Sequence, residues 1–166
     1  MTTAVAQLVA SHPLLAGLPG DAVAQVAGCA RNVAFAPGDL LLAEGDRADT
    51  LFLVRRGRVA IEIHSPDRGS IVVETVGAGG AVGWSWLFPP YHWQFDARAV
   101  GPVGAIAVDA ACLRAKAEVD HTLGHQLVTR VAAVLLQRLQ ATRIRLLDLY
   151  GAEGGRQGRD HHARVD

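Results

Sequence analysis

The stretch "LLAEGDRADTLFLVRRG", residues 41–57, carries the reading of the fold. Four consecutive apolar residues, Leu51 to Val54, lie between Gly45 and Gly57, with the small Ala48 between. Glycines in such places mark tight turns, because positive φ is cheap only without a Cβ. The stretch therefore reads as turn, strand, turn. The same grammar continues on both sides. "NVAFA" ends at Pro37-Gly38, "DLLLAE" at Gly45-Asp46, and "RVAIEIH" at Ser65-Pro66-Asp67-Arg68-Gly69. "SIVVETV" runs into Gly77-Ala78-Gly79-Gly80, and "ARAVG" and "VGAIAVD" complete the series. Short strands with Gly and Pro punctuation predict a mainly β fold with flanking helices, an antiparallel β-roll or jelly roll of about eight strands.

Helical patterns lie at the ends. The first runs from Thr3 to Ser11; in the second, Asp21 is the expected N-cap and Val23, Val26 and Ala27 form an apolar face. After the strands, Asp109 is expected to cap a short helix and Asp120 a long one that reaches Tyr150, with Gly151 as its C′ stop. Residues 1–151 are read as one domain and the polar, Gly-rich residues 152–166 as a disordered tail.

Composition narrows the classes. Half of the 166 residues are hydrophobic and 19% are charged, a globular balance. Acidic and basic residues cancel at 16 each, so no net field draws the chain to nucleic acid or to an anionic membrane. Of the basic residues only Lys116 is lysine. No apolar run is long enough to span a bilayer, and no basic segment precedes the apolar N-terminus as in a signal peptide. A cytoplasmic protein without membrane contact is expected. Cys29 and Cys112 stand far apart and outside any C-x-x-C pair, so two free thiols are expected over a disulfide.

Two features remain. In "GWSWLFPPYHWQFDARA", residues 83–99, the tryptophans Trp84, Trp86 and Trp93 fall beside Phe88, Tyr91 and Phe95, and Pro89-Pro90 interrupts any regular element. In the long helix, Val128, Ala132, Leu135, Leu139, Thr142, Leu146 and Leu149 alternate spacings of four and three, a heptad seam. Leu127, Val131, Val134 and Ala141 form a second stripe beside it. The favoured reading packs one face on the roll and the seam on a partner's helix, in a homodimer; the alternative is one wide core-facing stripe in a monomer.

The turn–strand–turn of residues 41–57, with its surrounding order of elements, resembles the cyclic nucleotide-binding domain over residues 12 to 150. "RLQAT", residues 138–142, is similar to the start of the dimer helix in regulators of the bacterial catabolite-activator type. There the resemblance implies that Arg138 and Thr142 reach a nucleotide base, whereas by spacing Thr142 is a seam residue and Arg138 a surface charge. The family's phosphate-binding cassette reads roughly Gly-Glu-x-(Ala/Gly)-Leu, a loop, then Arg-(Ser/Thr)-Ala. Its short helix offers N–H groups to the phosphate, its Arg neutralises the charge and its Glu holds the ribose hydroxyl. In this chain Gly83 and Leu87 fit the pattern. Trp84 stands in the Glu position, Trp93 in the Arg position and Gln94 in the Ser/Thr position. Burying a phosphodiester anion without a cation costs several kcal/mol. Weak or absent binding of cyclic AMP and cyclic GMP is therefore expected.

A stand-alone dimeric sensor is the first functional reading. Its small neutral or apolar ligand would sit in an aromatic pocket of Gly83, Trp84, Ser85, Trp86, Leu87, His92, Trp93 and Gln94. The alternatives are a ligand-free scaffold for a protein partner, or a truncated transcription regulator of the same family. DNA contact is not expected of this chain, since the residues after Gly151 are too few for a helix-turn-helix reader. No enzyme, metal site or cofactor is expected. No H-x-H motif occurs, and His121 and His125 lack the general base of H-E-x-x-H.

Overall fold

Backbone conformation at Gly45 (φ 86°) and Gly57 (φ 82°) bears out the two turns. At Gly57 a Cβ would strike the Pro102 carbonyl oxygen and come within 3.1 Å of the Val103 Cα, so close backbone approach also requires glycine. The computed structural model describes residues 2–157. Its elements are α1 (Thr2–Ser11), α2 (Gly20–Ala27), β1 (Ala30–Phe35), β2 (Leu40–Leu42), β3 (Thr50–Arg56), β4 (Val59–Ser65), β5 (Gly69–Val76), β6 (Ala81–Val82), β7 (Asp96–Ala99), β8 (Val103–Asp109), α3 (Ala110–Val119) and α4 (His121–Gln157). A single 3-10 turn, Ser85–Leu87, separates β6 from β7.

Two four-stranded antiparallel sheets result, ordered β1-β8-β3-β6 and β2-β7-β4-β5. This is the expected mainly β roll. Strand β6 was not anticipated, because two residues are too short to display alternation. The core sits on β3 and β8, where Leu51 to Val54 and Val103 to Val108 are buried without alternation. The helices α1 and α2 contact β1, and α3 contacts β8; burial of consecutive residues on β3 and β8 demands apolar side chains on both faces. Strand β5, by contrast, is an edge, and Ile71, Val72 and Val73 on it are exposed.

One buried polar group ties the N-terminal helices to this core. Backbone N–H of Leu14 donates to His12 Nδ1 at 3.2 Å, which leaves the ring proton on Nε2, 3.0 Å from the Val54 carbonyl. Burial holds the His12 pKa below its ordinary 6.5, against the raising effect of the Val54 and Gly80 backbone bonds.

Three local expectations need correction, and two are met. Asp21 lies in the first turn of α2, whose N-cap is Pro19, and makes no side-chain cap bond. Asp109 does cap α3, accepting from Cys112 N at 2.7 Å. Asp120 caps α4, accepting from Thr122 N and Leu123 N at 3.1 Å each. Gly151 does not stop α4, which continues to Gln157; a C′ glycine needs positive φ, and Gly151 is not among the glycines that have it. Residues 158–166 of the expected tail lie outside the described residues. Cys29 and Cys112 are not free thiols but a disulfide, with Cα atoms 5.8 Å apart. The register explains it: Ala30 pairs with Val108 and Asp109 N donates to the Cys29 carbonyl at 2.8 Å. One turn of α3 then brings Cys112 back beside Cys29.

The chain divides into two compact units, the first ending at Leu127. In the first, Leu123 and Leu127 are buried. In the second, the seam residues Val128, Leu139, Leu146 and Leu149 are exposed, as are Leu136, Ile144 and Leu147.

Candidate functional site

Two prolines and a glycine at φ 97° prevent residues 83–95 from continuing β6, so the chain leaves the sheet as a loop around the 3-10 turn. Backbone bonds to the turn at residues 44–48 hold it. Trp93 N donates to the Asp46 carbonyl at 2.9 Å, and Gly45 N returns a bond to the Trp93 carbonyl at 3.0 Å. Ala48 N donates to the Tyr91 carbonyl at 2.6 Å, and Arg47 bridges to His92. Asp96 adds a side-chain tie, accepting from Glu44 N at 2.7 Å. The turn that reveals the fold and the loop that replaces the cassette are thus one paired unit.

Inside that unit the aromatic residues separate. Trp84, Trp86 and Trp93 are buried, Tyr91 and Phe95 are half-buried, and Phe88 is 54% exposed. Gly83 and Trp93 meet: a Cβ on Gly83 would lie 2.8 Å from Trp93 Cη2 and 2.9 Å from Cζ3. The indole therefore lies against the first cassette glycine. Trp86 Nε1 is buried with no hydrogen-bond partner among the described residues.

Of the remaining expected ligand residues four lie in the loop and two in the second unit. Ser85 and Leu87 belong to the 3-10 turn and are half-buried. His92 and Gln94 are exposed; His92 Nδ1 lies 3.0 Å from the Gly45 carbonyl, and Gln94 Nε2 donates to the His92 carbonyl at 3.3 Å. Arg138 and Thr142 lie in the second unit, where the Thr142 hydroxyl donates to the Arg138 carbonyl at 2.9 Å.

Two cations near the loop have partners of their own. Arg98, between the buried Ala97 and Ala99, bonds the Gly38 carbonyl at 2.8 Å and pairs with Glu62 at 3.4 Å. Arg114 of α3, which the sequence reading did not single out, donates to the Trp86 carbonyl and sets its guanidinium carbon 4.4 Å from the Tyr91 ring centroid. Tyr91 has φ 57°, a conformation uncommon for a residue with a Cβ, and this clamp together with the Ala48 bond holds it there. Nothing in the helix sequence marked Arg114, since its partners come from the loop's path. Among the described residues no group of three or more His, Cys, Asp and Glu could hold a metal ion.

The model of the cyclic nucleotide-binding domain family matches residues 32–120. The CRP-like cAMP-activated global transcriptional regulator of Mycobacterium tuberculosis is 26% identical over 143 residues, 86% of this chain and 62% of that protein. The chain thus spans less than two thirds of this curated relative. The crystal structure of a candidate cyclic nucleotide-binding protein from Geobacter metallireducens GS-15 superposes with a TM-score of 0.72 at 30% identity, covering 80% of this chain and 96% of that one. The N-terminal domain of a transcriptional regulator from Streptomyces coelicolor A3(2) gives 0.64 at 27% identity, with 81% and 94% covered.

Proposed function

Because the chain belongs to the cyclic nucleotide-binding domain family, we propose that it is a regulatory module that dimerises through α4 and does not take up cyclic AMP or cyclic GMP in the family's manner. One observation carries the reading: the Trp93 indole, at the position of the cassette arginine, lies on Gly83 at the start of the cassette. Both ionic positions of the cassette hold tryptophan, and the nearby Arg98 and Arg114 already have partners. A phosphate entering here would lose its hydration without gaining the cassette arginine, whose position Trp93 holds. The output is the coiled-coil seam of Val128, Ala132, Leu135, Leu139, Thr142, Leu146 and Leu149, of which Val128, Leu139, Leu146 and Leu149 are exposed in the single chain and Leu135 is half-buried. A cytoplasmic setting and a non-catalytic role accompany this reading.

A second reading has its own support. The buried Trp86 N–H lacks an acceptor, which costs about 1–3 kcal/mol and would be relieved by a neutral ligand carrying one. Calorimetric titration with cyclic AMP and cyclic GMP tests the main proposal; binding weaker than about millimolar is expected. Micromolar affinity would overturn it. Light scattering should show a dimer that Leu139→Glu dissociates, and a wild-type monomer would remove the proposed output.

A further inference from the structure

The disulfide does not stand alone. Gln25 and Cys29 are four residues apart at the end of α2, and Cys112, Lys116 and Asp120 are four apart along α3 and its C-cap. Cys112 and Lys116 share one face of α3, with Asp120 at its end, and this row meets the last turn of α2 and Cys29 just beyond it rung by rung. Cys29 bonds Cys112, Lys116 Nζ donates to the Gln25 carbonyl at 2.8 Å, and Gln25 Nε2 donates to Asp120 Oδ2 at 2.9 Å. Gly28 makes room for the middle rung, since a Cβ there would lie 2.7 Å from Lys116 Nζ. The last rung ends on the carboxylate that caps α4 through Thr122 N and Leu123 N. Covalent state at one end of the stripe is therefore joined, through a single helix face, to the residue at which the proposed output helix begins.

We propose that Cys29–Cys112 is a redox site, opened by thiol–disulfide exchange with a dithiol reductant, and that its opening loosens the α2–α3 face up to the α4 cap. Cys112 is half-buried and Cys29 buried, so the incoming thiolate attacks Cys112 Sγ and expels the Cys29 thiolate. The reductant's second thiolate then attacks its own sulfur in the mixed disulfide and releases Cys112. The protein gains two electrons and two protons as two thiols, and the dithiol is oxidised to its disulfide. In a reducing compartment such a bond is a signal of state; in an oxidising one it would be a permanent staple.

Lys116 supplies the readout, because it is the chain's only lysine and its amine is the middle rung. The full-length protein is equilibrated in glutathione mixtures of stepped ratio, and each sample is divided. One part is quenched and alkylated to count thiols; the other receives a pulse of an acylating reagent, and Lys116 modification is followed by mass spectrometry. The disulfide fraction should change across the series, and Lys116 should acylate roughly tenfold faster once the bond is open. A protein fully oxidised, or fully reduced, in every mixture overturns the redox site. Equal acylation in the two states overturns the coupling. Cys29→Ser/Cys112→Ser should acylate like the reduced wild type; where that variant does not fold, wild type reduced by dithiothreitol makes the same comparison. None of these readouts depends on whether the cassette binds a nucleotide or α4 dimerises, so this inference and the proposed function fail separately.

Discussion

Gly57 and Gly83 are both held at positive φ with no room for a Cβ, yet what crowds them differs. Around Gly57 the obstacle is backbone, the Pro102 carbonyl and Val103 Cα of the neighbouring connection. Around Gly83 the nearest obstacle is a side chain, the Trp93 ring. Backbone crowding belongs to the path of the chain and persists whatever side chains evolve around it. Side-chain crowding can be altered by one codon. The frame of the roll is built in the first way and the cassette in the second, so the fold can stay that of its relatives while its ligand chemistry changes.

Substitution separates the two. Gly57→Ala should be the most damaging, costing about 4 kcal/mol or more from left-handed strain plus a clash that no neighbouring side chain can relieve. Urea unfolding measures it, and a loss under about 1 kcal/mol would show that the Pro102 connection yields. Trp93→Ala should cost about 3 kcal/mol as a buried large-to-small change, while Phe88→Ala, at an exposed site in the same loop, should stay within about 0.5 kcal/mol. Gly83→Ala should be partly relieved in the Trp93→Ala background, with a coupling of about 1 kcal/mol; strict additivity would mean that Trp93 does not crowd Gly83.

The smallest expected effect concerns pH and the frame. His12 has a folded pKa below its ordinary 6.5, so the unfolded chain binds the extra proton first. Its contribution is complete above 6.5 and is lost as pH falls from there through the folded value. The urea midpoint should therefore decline from about pH 8 to about pH 5, and His12→Gln, which still offers an N–H toward Val54, should flatten that decline. An unchanged slope in the variant would remove His12 from the frame's acid sensitivity.

The same contrast explains what could be read in advance. Residues 41–57 announce their structure because turn glycines and an apolar run act over a few residues, and the caps Asp109 and Asp120 are local in the same sense. The disulfide was missed because it depends on the β1–β8 register, which no local spacing encodes across a separation of 83 residues. Arg114 was missed for a similar reason: its meaning lies in the path of a loop that precedes it by more than twenty residues. Gly151 misled because glycine permits a helix stop without imposing one, and a mid-helix glycine costs only about 1 kcal/mol relative to alanine. In the cassette, residue types showed that tryptophan stands where the family pattern has Glu and Arg. Only coordinates showed that one of the replacements lies on the glycine itself.

The three tryptophans of the chain all lie in one loop and are all buried. Indole emission dominates the intrinsic fluorescence of a protein and shifts to the red when the ring becomes wet. The protein therefore carries an optical probe confined to its most altered segment. A shift in its emission would report the opening of this loop, or of the turn and the α3 contact that hold it, without a label.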